Sequence, residues 1–114
     1  MQRLLLFFAV LVAGCSNGAE ADLQYISKAR SLGAEWALIN QQADAGKLTG
    51  TYTRTMRQAV RQALQTAASS LTRSDTDYGR EIEVLIAAPD NAPPAELRRH
   101  ADKLKQIEDS LESA

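Results

Sequence analysis

Apolar residues in this chain recur at helical spacing, and no stretch alternates at strand spacing, so periodicity decides the fold class. Tyr25, Ala29, Leu32, Trp36, Ile39 and Ala43 follow one another at steps of four and three, which stacks them along one face of a helix. Gly46 ends this pattern where a C-terminal glycine cap would stand. A second run, Tyr52, Met56, Val60, Ala63, Ala67 and Leu71, begins after Thr49 and Thr51, either of which can cap a helix start. The short connection between the two runs predicts an antiparallel helical hairpin.

The next segment is open to two readings. Tyr78, Ile82 and Leu85 stay in phase with Leu71, which suits one long helix over residues 51–88. The intervening "TRSDTDYG" favours a break. Its Thr, Ser, Asp and Gly residues cost ~4 kcal/mol relative to alanine inside a helix, and Ser74 followed by Asp77 resembles a capping box built with Asp. From Pro89, "PDNAPP" reads as a stiff loop, because Ala92 and Pro93 each precede a proline and are turned away from the helical region. Pro94 is then a natural first helical residue, followed by Leu97, Ala101, Leu104, Ile107 and Leu111 on one face. The expected fold is all-α, an up-and-down bundle of four helices. The alternative is three helices with residues 51–88 as a single rod.

The N-terminus carries a different kind of information. Met1, Gln2 and Arg3 bear a positive charge, and Leu4 to Val12 are uninterruptedly apolar. That run is far shorter than the ~20 residues needed to span a bilayer, and it reads as targeting information rather than part of the fold. Val12, Ala13, Gly14 and Cys15 follow it, with Ser16, Asn17 and Gly18 beyond. This order resembles the lipobox of bacterial lipoproteins, with Val12 where leucine is more usual. The resemblance covers about the first eighteen residues. It implies that residues 1–14 are a cleaved signal peptide and that the Cys15 sulfur carries a diacylglycerol. The new N-terminus is then usually acylated as well, with palmitate or a similar chain. At ~0.8 kcal/mol per buried methylene, two or three such chains form a lasting membrane anchor. A thioether also removes the chain's only cysteine from disulfide chemistry. Ser16 stands where Asp would favour retention at the inner membrane, so the resemblance implies the outer membrane, facing the periplasm. Residues 15–22 read as a flexible tether reaching only ~15 Å, and residues 23–114 as a single helical domain.

Most chemistry is excluded by residue type and spacing. Without Arg3 the chain carries 12 basic and 14 acidic side chains, a balance with no call for nucleic acid. His100 is the sole histidine. Glu96 stands four residues before it, but no third ligand follows at metal-binding spacing, and the pair reads as a surface feature of the last helix. "GKLTGT" at Gly46–Thr51 lacks the first glycine of a phosphate loop and has Leu48 where Ser or Thr must follow the lysine. Ser69 and Ser70 have no neighbouring base, and Glu81 and Glu83 point to different sides of a helix. Trp36 reads as a core anchor. No catalytic residue, metal ligand or cofactor is expected, and the chain is not expected to be an enzyme.

One distribution stands apart. No acidic residue lies between Asp44 and Asp75, while Lys47, Arg54, Arg57, Arg61 and Arg73 are basic; residues 75–96 then hold Asp75, Asp77, Glu81, Glu83, Asp90 and Glu96 against Arg80 alone. The intramolecular explanation, which we adopt as the expectation, folds the acidic segment back beside the basic helix. The other turns Arg54, Arg57 and Arg61, a stripe at steps of three and four, toward anionic lipid or an acidic partner. The function expected is that of a lipid-anchored interaction or structural module of the cell envelope, with an envelope protein as partner. A lipoprotein that binds lipid or a small apolar ligand is the alternative. Small Ala-lined seams leave little room for a ligand and favour the first.

Overall fold

Four helices form among the described residues, as the break at "TRSDTDYG" requires. The structure is a computed structural model and describes residues 18–113; the expected signal peptide, the lipobox and Cys15 lie outside the described residues. The helices are α1 (Gly18–Asp44), α2 (Gly50–Ser70), α3 (Asp77–Ile86) and α4 (Pro94–Glu112). Residues 71–76 separate α2 from α3, so the single rod over 51–88 does not form. Among the described residues there is no strand.

The ends of these helices follow from local chemistry. Gly46 takes φ +73°, a left-handed conformation that glycine adopts without cost, and closes α1. Thr49 caps α2, its hydroxyl accepting from the Tyr52 backbone N–H at 3.1 Å. Pro94 opens α4, where a missing N–H costs no helical hydrogen bond. The cap of α3 differs from the expectation. Thr76 rather than Ser74 fills it, accepting from Gly79 N at 3.1 Å. Ser74 is displaced because its carbonyl lies directly over Gly79.

α1 is the spine of the bundle. It contacts α2, α3 and α4, whereas α2 and α4 do not meet. Its buried sector is therefore wider than one stripe: Ile26, Gly33, Ala37 and Asn40 are buried beside the expected Ala29, Leu32, Trp36 and Ile39. Tyr25 and Ala43 are only half-buried. The helix is already formed at Gly18, the first described residue, ahead of the expected boundary at residue 23, so the part of the tether from Gly18 to Asp22 is helical instead. It is helical because Asp22 is buried and holds the α2–α3 turn.

On α2 the core face is set by Thr53, Val60, Leu64 and Ala67. This face is rotated from the expected one, and Tyr52 is left 51% exposed. Tyr78, Ile82 and Leu85 of α3 and Leu97, Ala101 and Leu104 of α4 are buried as the periodicity predicts. Close approach matters most at Gly79, where an added methyl would stand 2.9 Å from the Ser74 carbonyl carbon and nearer still to its oxygen. Gly79→Ala is expected to destabilise the domain by about 1–3 kcal/mol through overpacking. Gly50→Ala, at a helical position with nothing within 4 Å, should cost nothing. Thermal unfolding followed by circular dichroism compares the two, and equal melting temperatures would contradict the close approach at Gly79.

Candidate functional site

The largest concentration of specific polar contacts lies at the end of the bundle remote from Gly18. Trp36 and Asn40 stand four residues apart on α1 and so share a face. Both reach the loop that joins α3 to α4. Trp36 Nε1 donates to the Asp90 carbonyl at 3.1 Å, and Asn40 Nδ2 donates to the carbonyls of Asp90 at 3.0 Å and Ala92 at 2.8 Å. From α2, Arg61 closes over the same loop. Its Nη1 donates to the Ile86 carbonyl, and its Nη2 to the Ala88 carbonyl at 3.1 Å and to Asp90 Oδ1 at 2.7 Å. The guanidinium carbon sits 4.9 Å from the Trp36 ring centroid, within cation–π range. A cation at the last carbonyls of α3 also complements that helix's dipole.

Arg57, one turn earlier on α2, donates from Nε to Asn40 Oδ1 at 2.8 Å. Its side chain makes no other hydrogen bond or ion pair among the described residues, and the side chain of Arg54 makes none among them. Both line a cleft of about 480 Å³ whose other walls are Ala43, Asp44, Leu48, Gly50, Thr53 and Asp90.

The three arginines of the stripe thus have separate fates. Arg61 is turned inward, Arg57 is half-buried and Arg54 is exposed. The expectation that they face Asp75, Asp77, Glu81 and Glu83 is corrected: of the acidic segment, Asp90 alone is bound, by Arg61. Asp75 lies 3.9 Å from Arg73 and Asp77 3.9 Å from Arg80. Glu81 approaches His100 Nδ1 at 2.5 Å and Lys103 Nζ at 3.5 Å on α4. The reason is the direction of α3, which presents its C-terminal carbonyls, not its acidic first turn, to Arg61.

The other candidates from sequence are dispersed. Glu96 pairs with Arg99 at 3.7 Å, leaving His100 to Glu81. Ser69 and Ser70 hydroxyls donate to the carbonyls of Gln65 at 2.9 Å and Thr66 at 2.8 Å within their own helix, a local bond common for such residues. Among the described residues no group of three or more His, Cys, Asp or Glu is placed to hold a metal ion, and no helix is long and apolar enough to cross a membrane.

At the opposite end, Asp22 repeats the architectural role of Asn40. Its Oδ1 accepts from Thr72 N at 2.8 Å, and its Oδ2 from Thr72 Oγ1 at 3.0 Å and from the Tyr78 hydroxyl at 2.7 Å. The burial of Asp22 and Asn40 was not legible in sequence, because a polar residue on a helix carries no sign of burial in its spacing. Set beside protein families, curated proteins and solved structures, the chain matches none.

Burial, followed by the hydrogen bond to Asp22, raises the Tyr78 hydroxyl above its ordinary pKa of 10.0. A raised folded-state value favours the neutral phenol, so this stabilisation is complete below the unfolded value of about 10 and is lost as pH climbs through the folded one. Tyr78→Phe should cost about 1.5–3 kcal/mol near neutral pH, the worth of a hydrogen bond to a charged group. It should also flatten the alkaline limb of stability against pH. Denaturant unfolding across that limb measures both; parallel curves for the two proteins would contradict the assignment.

Proposed function

We propose that this protein is a lipid-anchored interaction module of the bacterial cell envelope, held to the membrane through Cys15 and presenting a helical domain to an envelope protein. The lipobox-like Val12–Cys15 carries the reading. α1 is already helical at Gly18, the first described residue, and the two residues between it and Cys15 reach at most ~10 Å when extended, which would keep an anchored domain close to the membrane. The domain therefore stands directly on its anchor. α1, at 27 residues, runs ~40 Å from there, and the cleft lined by Arg54 and Arg57 lies at its remote end. Residence at the outer membrane, facing the periplasm, belongs to the same proposal and rests on Ser16. No catalytic role is assigned.

A second reading, binding of a small apolar ligand or lipid chain, has one observation in its favour. A groove of about 290 Å³ lies between α1 and α2, lined by Tyr25, Lys28, Ala63, Thr66, Ala67 and Ser70. It sits at the lower limit of ~300–1,000 Å³ for ligand pockets, which favours the interaction module.

Replacing Cys15 with serine should abolish incorporation of labelled palmitate and leave the unprocessed precursor in the cell. In intact cells, a photocrosslinking residue at Lys47 should capture a defined envelope protein, with the same residue at Ser113 as the control near the anchor. Label on the Cys15→Ser protein would overturn the anchor, and the absence of a specific adduct from Lys47 would overturn the interaction module.

A further inference from the structure

We propose that the cleft at the remote end of the bundle binds a carboxylate of the partner protein, with Arg57 as the oriented fork and Arg54 as a second cation. The inference rests on the interaction-module reading and gives that partner its chemistry. Its starting point is the way Arg57 is held. Nε donates to Asn40 Oδ1 at 2.8 Å, and Asn40 is itself 1% exposed and fixed by two loop carbonyls. The guanidinium plane is therefore anchored from behind. Its four Nη hydrogens have no acceptor among the described residues, and the side chain lines an open polar cleft. A planar fork with free paired donors is the geometry that takes a carboxylate with two parallel hydrogen bonds.

Charge narrows the ligand. The two carboxylates in the cleft wall, Asp44 and Asp90, do not occupy the fork: neither lies within ion-pair distance of Arg57 or Arg54, and Asp90 is engaged by Arg61 at 2.7 Å. Their presence penalises a dianion such as phosphate more than a monoanion. The position in the fold is also remote from the anchor, so a lipid headgroup is the poorer match. A volume of about 480 Å³ exceeds what a carboxylate fills, leaving room for the residue that bears it against Ala43 and Leu48. The occupant assigned is thus an Asp or Glu side chain, or a chain terminus, of a protein.

The test uses the full-length ¹⁵N-labelled chain in neutral detergent micelles, with sodium acetate as the probe and sodium chloride at matched ionic strength as the reference. Acetate should shift the Arg57 Nε–H resonance and the amides of Gly50 and Thr53 along a saturable curve. Arg57→Gln should weaken binding about tenfold or more, the worth of a charge-assisted hydrogen bond. Because Arg57 also holds Asn40, the exposed Arg54→Gln serves as a second variant that leaves the fold intact, and it should weaken acetate several-fold. Phosphate should bind less tightly than acetate at neutral pH. Shifts no larger than those from chloride would overturn the proposal, and tighter binding of phosphate would overturn its carboxylate assignment. The two readings fail separately. If the Lys47 crosslink survives in Arg57→Gln and Arg54→Gln, the carboxylate site is wrong and the interaction module stands; if acetate binds but no partner is captured, the reverse holds.

Discussion

One side-chain amide joins three parts of this fold. Asn40 donates to two carbonyls of the α3–α4 loop and accepts from Arg57 of α2, and an amide is suited to the task because it offers donors and an acceptor on one planar group. The loop it holds is rich in proline and short of backbone donors, so its carbonyls need partners from elsewhere. Trp36 and Arg61 supply the rest. Removing Asn40 would take the donor from the Ala92 carbonyl and removing Arg61 those from Ile86 and Ala88, at a cost of about 1–3 kcal/mol for each group left unpaired. The Asp90 carbonyl keeps one of its two donors if Trp36 is lost. The loop's position, and with it the angle at which α4 meets α1, depends on this junction.

Asp22 performs the same service at the near end, so α1 grips two of the three connections between the described helices from its opposite ends. Both side chains are almost wholly removed from solvent, at 0% and 1% exposure. A carboxylate in that position is tolerable only because three donors converge on it. Such contacts contribute little net stability compared with apolar burial, but they discriminate strongly among arrangements, since a displaced loop strands a charge or a carbonyl. Between the two grips α1 comes close to its neighbours at Gly33, where a methyl would meet Leu85 Cδ2 at 3.1 Å and Ala101 Cβ at 3.4 Å. Small residues in this seam allow close approach and limit the apolar area buried, so arrangement rests on polar contacts more than in a bundle with Leu-rich seams.

The helices were legible in sequence because their signals are local. Thr49, Gly46 and Pro94 act within a turn of where they stand, and the composition of "TRSDTDYG" outweighs a phase match between Leu71 and Tyr78. Burial of polar residues was not legible. Asp22 lies in a stretch without apolar period, so it reads as tether until Thr72 and Tyr78, 50 and 56 residues later, are brought to it. The core face of α2 was misplaced for a related reason. Tyr52 and Thr53 both fit a helical stripe, and the choice between them depends on where α1 and α3 lie, which spacing on α2 alone does not record. Ser74, the cap expected from sequence, gives way to Thr76, which directly precedes α3 and accepts from Gly79 N.

The charge pattern shows how two explanations that look exclusive in sequence divide along one helix. Arg54, Arg57 and Arg61 span only two turns and share one side of α2, Arg54 and Arg61 about 20° apart in azimuth, so it is chiefly their height along the helix that gives them different neighbours. Arg61 meets the C-terminal carbonyls of α3 and Asp90, and its charge is largely satisfied within the fold. Arg54, two turns nearer the start of α2, meets solvent. Arg57 lies between, with its Nε committed to the interior and its Nη groups without acceptors among the described residues. Asp90 decides this division: its carboxylate lines the cleft but pairs with Arg61 rather than Arg57, which leaves the Arg57 fork unoccupied. Between the basic and acidic segments two ion pairs survive, Arg61–Asp90 and the exposed Arg73–Asp75, while Arg54 and Arg57, in no ion pair among the described residues, line the cleft.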